Sequence, residues 1–160
     1  MVLDIEELTH DALLSIYDKW KAAGAPEGEL SEFIQYNNNQ NISCCSVKDQ
    51  NKVIALFELR DTLKSYKNMS ILLTPDIGST EGDYNSVSER LLYITNIIAK
   101  IFTHFIAEPI EKRGVIKIWN DRSDIHTIIV SIATYLEKNY GNQYSVKIYR
   151  NWVEVTKVEV

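Results

Sequence analysis

The residue pattern predicts an α/β (α+β) domain, a mixed and mainly antiparallel sheet flanked by helices. Three observations predict it. Apolar residues recur at helical spacing from Leu91 to Ile106 and from Ile125 to Leu136. Short runs rich in β-branched and aromatic residues lie before, between and after those stretches. Gly, Pro, Asn, Asp and Ser separate each run from the next. The resulting order is strand, helix, helix, three strands, helix, strand, helix, two strands. At 160 residues the chain suits a single domain spanning 1–160.

Each element has its own reason. Val2 to Leu8 alternates in part and reads as a short strand. Thr9 or Asp11 then caps a helix reaching about Ala23, with Leu13, Leu14, Ile16, Tyr17 and Trp20 along one side. Gly24, Pro26 and Gly28 make a loop, and Ser31 caps a short second helix from Glu32 to about Tyr36. The polar run Asn37 to Asn41 is a solvated loop. Ile42 to Val47 and Val53 to Leu59 form a hairpin across Lys48 to Lys52. A third run, Met69 to Leu73, follows the polar turn Lys64 to Asn68 and completes an antiparallel meander.

Pro75 ends that run, and Asp76 to Asn85 is a loop. Ser86 or Ser88 starts the longest helix, which Pro109 ends or kinks. Val115 to Trp119 is a strand behind Gly114. Asp121 or Ser123 caps a helix running to about Asn139, with Gly141 as its stop. Tyr144 to Tyr149 and Trp152 to Val158 alternate about Arg150-Asn151, a tight terminal hairpin.

Composition narrows the function classes. Hydrophobic residues make up 45%, enough for a core that needs no staples. The formal net charge of -5, with no Lys/Arg run longer than two, argues against nucleic acid as a partner. The apolar stretch of the longest helix is interrupted by Lys100, Thr103 and His104, against a membrane span. Cys44 and Cys45 are adjacent, so in a strand their side chains diverge and a bridge between them is strained. Two buried thiols and no basic-apolar leader point to a cytoplasmic protein. His10, His104 and His126 are scattered without ligand spacing, so no metal site is expected.

The element order resembles the GNAT (N-acetyltransferase) superfamily along the whole chain. LDIEELTHDALLSIYDKW is similar to that family's first strand and helix. ISCCSVKDQNKVIALFELR is similar to its second and third strands, and MSILLTP to its fourth. WNDRSDIHTIIVSIATYLEKNYG resembles the end of its fifth strand with the following helix, and YSVKIYRNWVEVTK its closing hairpin. The resemblance implies a divergent, acyl-CoA-dependent N-acetyltransferase acting on a small-molecule or peptide amine, with acetyl-CoA between the splayed fourth and fifth strands.

It also implies site residues. Backbone amides of Leu72, Leu73 and Thr74 would face the thioester, and those of Ser86, Val87 and Ser88 the phosphates, since free N–H groups at a helix start attract anions. Asn120 falls near the family's Asn. Tyr135 falls near the tyrosine that protonates the departing sulfur, with Tyr140 a weaker stand-in; Tyr135 also follows Ile128 and Ile132 on an apolar face, where a core role is open. The family's Gln/Arg-x-x-Gly-x-Gly/Ala pattern is replaced by Gly78 to Ser88, with no Arg or Lys between Pro75 and Arg90 and with Glu81 and Asp83 opposing a diphosphate. A catalytically inactive scaffold acting as an interaction or regulatory module is the alternative function.

Glu58 follows from the residues themselves. On an inner strand its carboxylate can deprotonate an amine if its face lines a cleft, and is a plain surface charge if its face meets solvent. By the same resemblance to the GNAT family, the long helix exceeds its family counterpart by about two turns, so that Ile101, Phe105 and Ile110 are a candidate surface for a homodimer or a partner, the alternative being a helix that covers the sheet edge.

Overall fold

The computed structural model describes residues 2–78 and 84–159. Glu81 and Asp83 lie outside the described residues. Along the chain the elements are β1 (Leu3–Glu7), α1 (His10–Ala22), α2 (Glu27–Tyr36), β2 (Ile42–Asp49), β3 (Lys52–Asp61), β4 (Tyr66–Asn68), β5 (Ile71–Leu73), α3 (Pro75–Gly78), α4 (Tyr84–Ala107), α5 (Pro109–Arg113), β6 (Val115–Trp119), α6 (Ser123–Tyr140), β7 (Tyr144–Ile148) and β8 (Trp152–Lys157). The strands pair in the order β1-β2-β3-β4-β6-β8-β7, with β5 paired to β3. All the registered pairs are antiparallel except β4 with β6, which is parallel. The expected mixed, mainly antiparallel sheet is therefore present. The chain divides into two compact units, one formed by Met1–Leu59 with Ile71–Ile97, the other by Arg60–Ser70 with Ile98–Val160.

In the first unit, Thr9 caps α1 as its position suggests: its Oγ1 accepts the Ala12 N–H at 3.2 Å. Leu13, Ile16 and Trp20 face inward from α1, and Leu30 and Phe33 from α2. With Leu8, Ala25, Cys44 and Leu56 they form one apolar core. The second helix is longer than its sequence suggested. It begins at Glu27, directly after Pro26 at φ -60, and encloses Gly28. Pro26 is already in a backbone setting that leads into a helix, and Glu27 and Glu29 complement the positive helix end. The β2–β3 connection is two residues long. Gln50 (φ 49) and Asn51 (φ 70) both take the left-handed conformation, as a type I′ turn requires, so the polar residues on either side stay in the strands.

The third predicted run is divided. Tyr66–Asn68, taken from the sequence as a turn, is β4; Ile71–Leu73 is β5. α4 begins at Tyr84, before the two serines expected to start it. Neither Asp121 nor Ser123 caps α6. Its N-cap is Arg122, between the two, whose own N–H is accepted by Asn120 Oδ1 at 3.0 Å.

In the second unit, Ile116 and Ile118 of β6 and Val153 and Val155 of β8 are buried, as are Ile125, Ile129 and Ala133 of α6, which packs on β7 and β8. Gly114 closes α5 at φ +79 and leads into β6, a left-handed position that favours glycine. Ile101, Phe105 and Ile110 are at most 1% exposed. They are core residues and offer no partner surface. The stretch Ser88–Arg113 is long and apolar enough to cross a membrane by length and composition, with a mean hydropathy of 1.2. Its Ile97, Ile98, Ile101, Phe102 and Phe105 are buried in the fold, a pattern that core helices also produce.

One ion pair anchors the end of β3. Arg113 donates to Asp61 through Nε at 2.9 Å and Nη2 at 2.8 Å, and the Leu63 N–H donates to the same carboxylate at 2.9 Å. The guanidinium holds the Asp61 carboxyl down to about 2, from an ordinary 3.8. A depressed carboxyl stabilises the folded state above its unfolded value and loses that contribution as pH falls through its folded value. Asp61→Asn is therefore expected to lower the urea midpoint at pH 7. The difference from wild type should shrink between about pH 4 and pH 2, a trend that urea titrations across that range would read.

Candidate functional site

β5 pairs with β3 through Ala55↔Leu73, Leu56↔Leu72 and Phe57↔Ile71. The Thr74 N–H donates to the Ile54 carbonyl at 2.9 Å. In an antiparallel ladder the hydrogen-bonded pairs alternate, so Leu72 also points its N–H at β3 and Leu73 points its N–H to the opposite edge. Of the three amides expected to face a thioester, Thr74 is thus committed to the ladder and Leu72 is directed into it. Leu73 alone is aimed outward.

Glu58 lies on β3, the strand that carries the other side of this ladder. It is 0% exposed. Ile54 to Leu59 are buried on both faces of the strand, so the alternative of a solvent-facing charge is overturned. Glu58 is engaged in interactions within the protein. A buried carboxyl must be hydrogen-bonded, paired or protonated, and it can act as a base only in its ionised form.

The remaining candidates are on helices or their approaches. Ser86 and Val87 fall in the first turn of α4, and Ser88 follows them, exposed. Asn120 is buried at the end of β6; its N–H donates to the Asn151 carbonyl at 3.0 Å, and its Oδ1 accepts from Arg122. Its evident work is to join β6 to α6 and to the β7–β8 turn. Tyr135 is 64% exposed, because the buried stripe of α6 runs through Ile125, Ile129, Ala133 and Leu136 instead of Ile128 and Ile132. The core alternative for Tyr135 is therefore set aside. Tyr135 stands twelve residues into α6, about 18 Å along its axis, so it and Asn120 do not share one cluster. Tyr140, at 46% exposed, is at the far end of the same helix.

Among the described residues no group of three His, Cys, Asp or Glu is placed to hold a metal. Cys44 and Cys45 are both buried and form no disulfide. Burial, with the nearby Glu7, pushes the Cys45 thiol up to about 12, which makes it a poor nucleophile.

A group missed from sequence lies on the second unit. Lys67, Lys117, Tyr149, Trp152 and Glu154 line a shallow pocket of about 310 Å³. Lys67 was assigned to a turn, which hid its alignment with Lys117; the alternation of β6 and β8 was visible, but not the strand pairing that assembles the face.

No family model matches the chain, and no curated protein matches it. Solved structures do. An acetyltransferase of the GNAT family from Bacillus cereus superposes with a TM-score of 0.51 at 11% identity, covering 99% of this chain and 100% of that one. The N-acetyltransferase PseH of Campylobacter jejuni, in complex with acetyl coenzyme A, gives 0.50 at 12% identity, with coverage of 99% and 100%. A mutant AtaT toxin bound to the C-terminus of the antitoxin AtaR gives 0.50 at 12% identity, with coverage of 96% and 91%. At such identities the likeness concerns architecture: the chain has the GNAT fold.

Proposed function

We propose that the chain is an acetyltransferase-like protein that moves an acetyl group from acetyl-CoA to an amine of a small molecule or peptide. The observation that carries this reading is the outward Leu73 N–H on β5, in a chain of GNAT fold. An amide fixed by a strand ladder is a preorganised donor for a developing oxyanion. Acetyl-CoA would supply the activated acyl group. Leu73 N–H would stabilise charge on the acyl oxygen, Glu58 of the same unit would take the proton that the attacking nitrogen sheds, and the sulfur would leave as the thiolate of CoA. The amide of Ser86, in the first turn of α4, would meet the phosphates, whereas Ser88 lies one turn in, where the helix ladder takes its N–H. A cytoplasmic setting suits this reading.

Calorimetry with acetyl-CoA tests it. Binding is expected, and silence at millimolar cofactor would overturn the proposal. In turnover assays against a panel of amines, read by thiol release, amine-dependent turnover is expected. A non-catalytic scaffold is the second reading. Its support is the absence of Lys or Arg between Pro75 and Arg90, with Glu81 and Asp83 in that interval. Amine-dependent thiol release would remove it.

A further inference from the structure

The second unit carries an unusual row of charge across its sheet. Lys67 of β4 is in register with Lys117 of β6, Lys117 with Glu154 of β8, and Glu154 with Lys147 of β7. Two residues along, Trp119 is opposite Trp152, and Tyr149 follows beside them through its N–H to the Trp152 carbonyl at 2.8 Å. Alternation puts both rows on one face, since Ile116, Ile118, Val153 and Val155 occupy the other and are buried.

Placing Lys67 directly beside Lys117, on strands about 4.8 Å apart, is unfavourable. Among the described residues neither lysine forms an ion pair. Lys67 Nζ instead sits 5.9 Å from the centre of the Trp152 ring, which keeps its ammonium over the pocket. Two ammonium groups and one carboxylate line the pocket, and Arg60, in register beyond Lys67, and Lys147, in register beyond Glu154, add positive charge along the same row, so the pocket attracts an anionic group. Glu154 supplies an acceptor for a cationic group, and Trp152 and Tyr149 supply flat apolar walls.

We infer that this face binds a small zwitterion of the amino-acid type. Its carboxylate lies between Lys67 and Lys117, its ammonium reaches Glu154, and its apolar body rests on Trp152 and Tyr149. The binding does not rest on the acetyltransferase reading.

Calorimetry on the full chain without acetyl-CoA tests the site, so its failure leaves the transfer reaction untouched. The probes are phenylalanine, phenethylamine (no carboxylate), 3-phenylpropionate (no amine) and inorganic phosphate. Phenylalanine is expected to bind about tenfold more tightly than each of the others. The double substitution Lys67→Gln with Lys117→Gln should weaken phenylalanine about tenfold and leave phenethylamine unchanged. Glu154→Gln should weaken phenylalanine and phenethylamine but spare 3-phenylpropionate. Lys117→Gln alone relieves the like-charge pair, so its thermal midpoint should equal or exceed that of wild type. Equal binding of phenethylamine or phosphate, an unchanged affinity in the double variant, or no heat from any probe at about 10 mM would each overturn the assignment.

Discussion

Phe33→Ala is expected to destabilise the first unit by about 3–5 kcal/mol, the largest stability effect among the substitutions considered. Phe33 is 1% exposed and lies in the core that α1 and α2 build with Leu8, Cys44 and Leu56. Its ring meets Tyr36 edge-on at 5.8 Å between centroids, an arrangement that adds to simple burial. The backbone around it is also committed: its carbonyl accepts the Cys44 thiol at 3.6 Å and the Asn37 N–H at 3.2 Å. Helix and strand are therefore pinned on either side of the ring, and little collapse can fill the space it leaves. Domains typically have about 5–15 kcal/mol to lose, so urea unfolding followed by far-UV circular dichroism should show a large fall in midpoint. A loss below about 1 kcal/mol would mean that α2 is free to close over the cavity.

Much of the architecture was legible because its signals are local. Thr9 marks a helix start whatever lies around it, and the alternation of Tyr144–Ile148 and Trp152–Lys157 about Arg150-Asn151 defines a hairpin by itself. The errors fall where a partner decides. Tyr66–Asn68 looks like a polar turn until β3 and β6 are on either side of it, where its two ladders satisfy the backbone and bury Asn68. Glu27–Tyr36 looked interrupted by Gly28, yet burial of Leu30 and Phe33 outweighs the modest helical penalty of one glycine. The site was less legible than the fold. Which of Leu72, Leu73 and Thr74 turns its amide outward depends on ladder phase, which only the Thr74-to-Ile54 bond reveals. The pairing of Lys67 with Lys117 joins residues fifty positions apart, and nothing in either local sequence announces it.

Glu58→Gln should produce the largest functional change. A positioned general base contributes about 10²–10⁴-fold, so kcat for acetyl transfer is expected to fall by that order. The substitution suits the question because Gln keeps the size and hydrogen-bonding reach of Glu and removes only the capacity to accept a proton as an anion. Glu58 is fully buried on β3 between Phe57 and Leu59, so truncation to Ala would mix a cavity with the chemistry. Two readouts separate a base from a structural carboxyl. A base must be ionised to act, so the acidic limb of the wild-type kcat/KM profile should vanish in Glu58→Gln, and acetyl-CoA affinity by calorimetry should stay unchanged. A structural carboxyl would instead leave the pH profile in place and lower the thermal midpoint. Retention of more than about a tenth of wild-type kcat would remove Glu58 from the chemistry and leave the Leu73 amide as the residue on which catalysis depends.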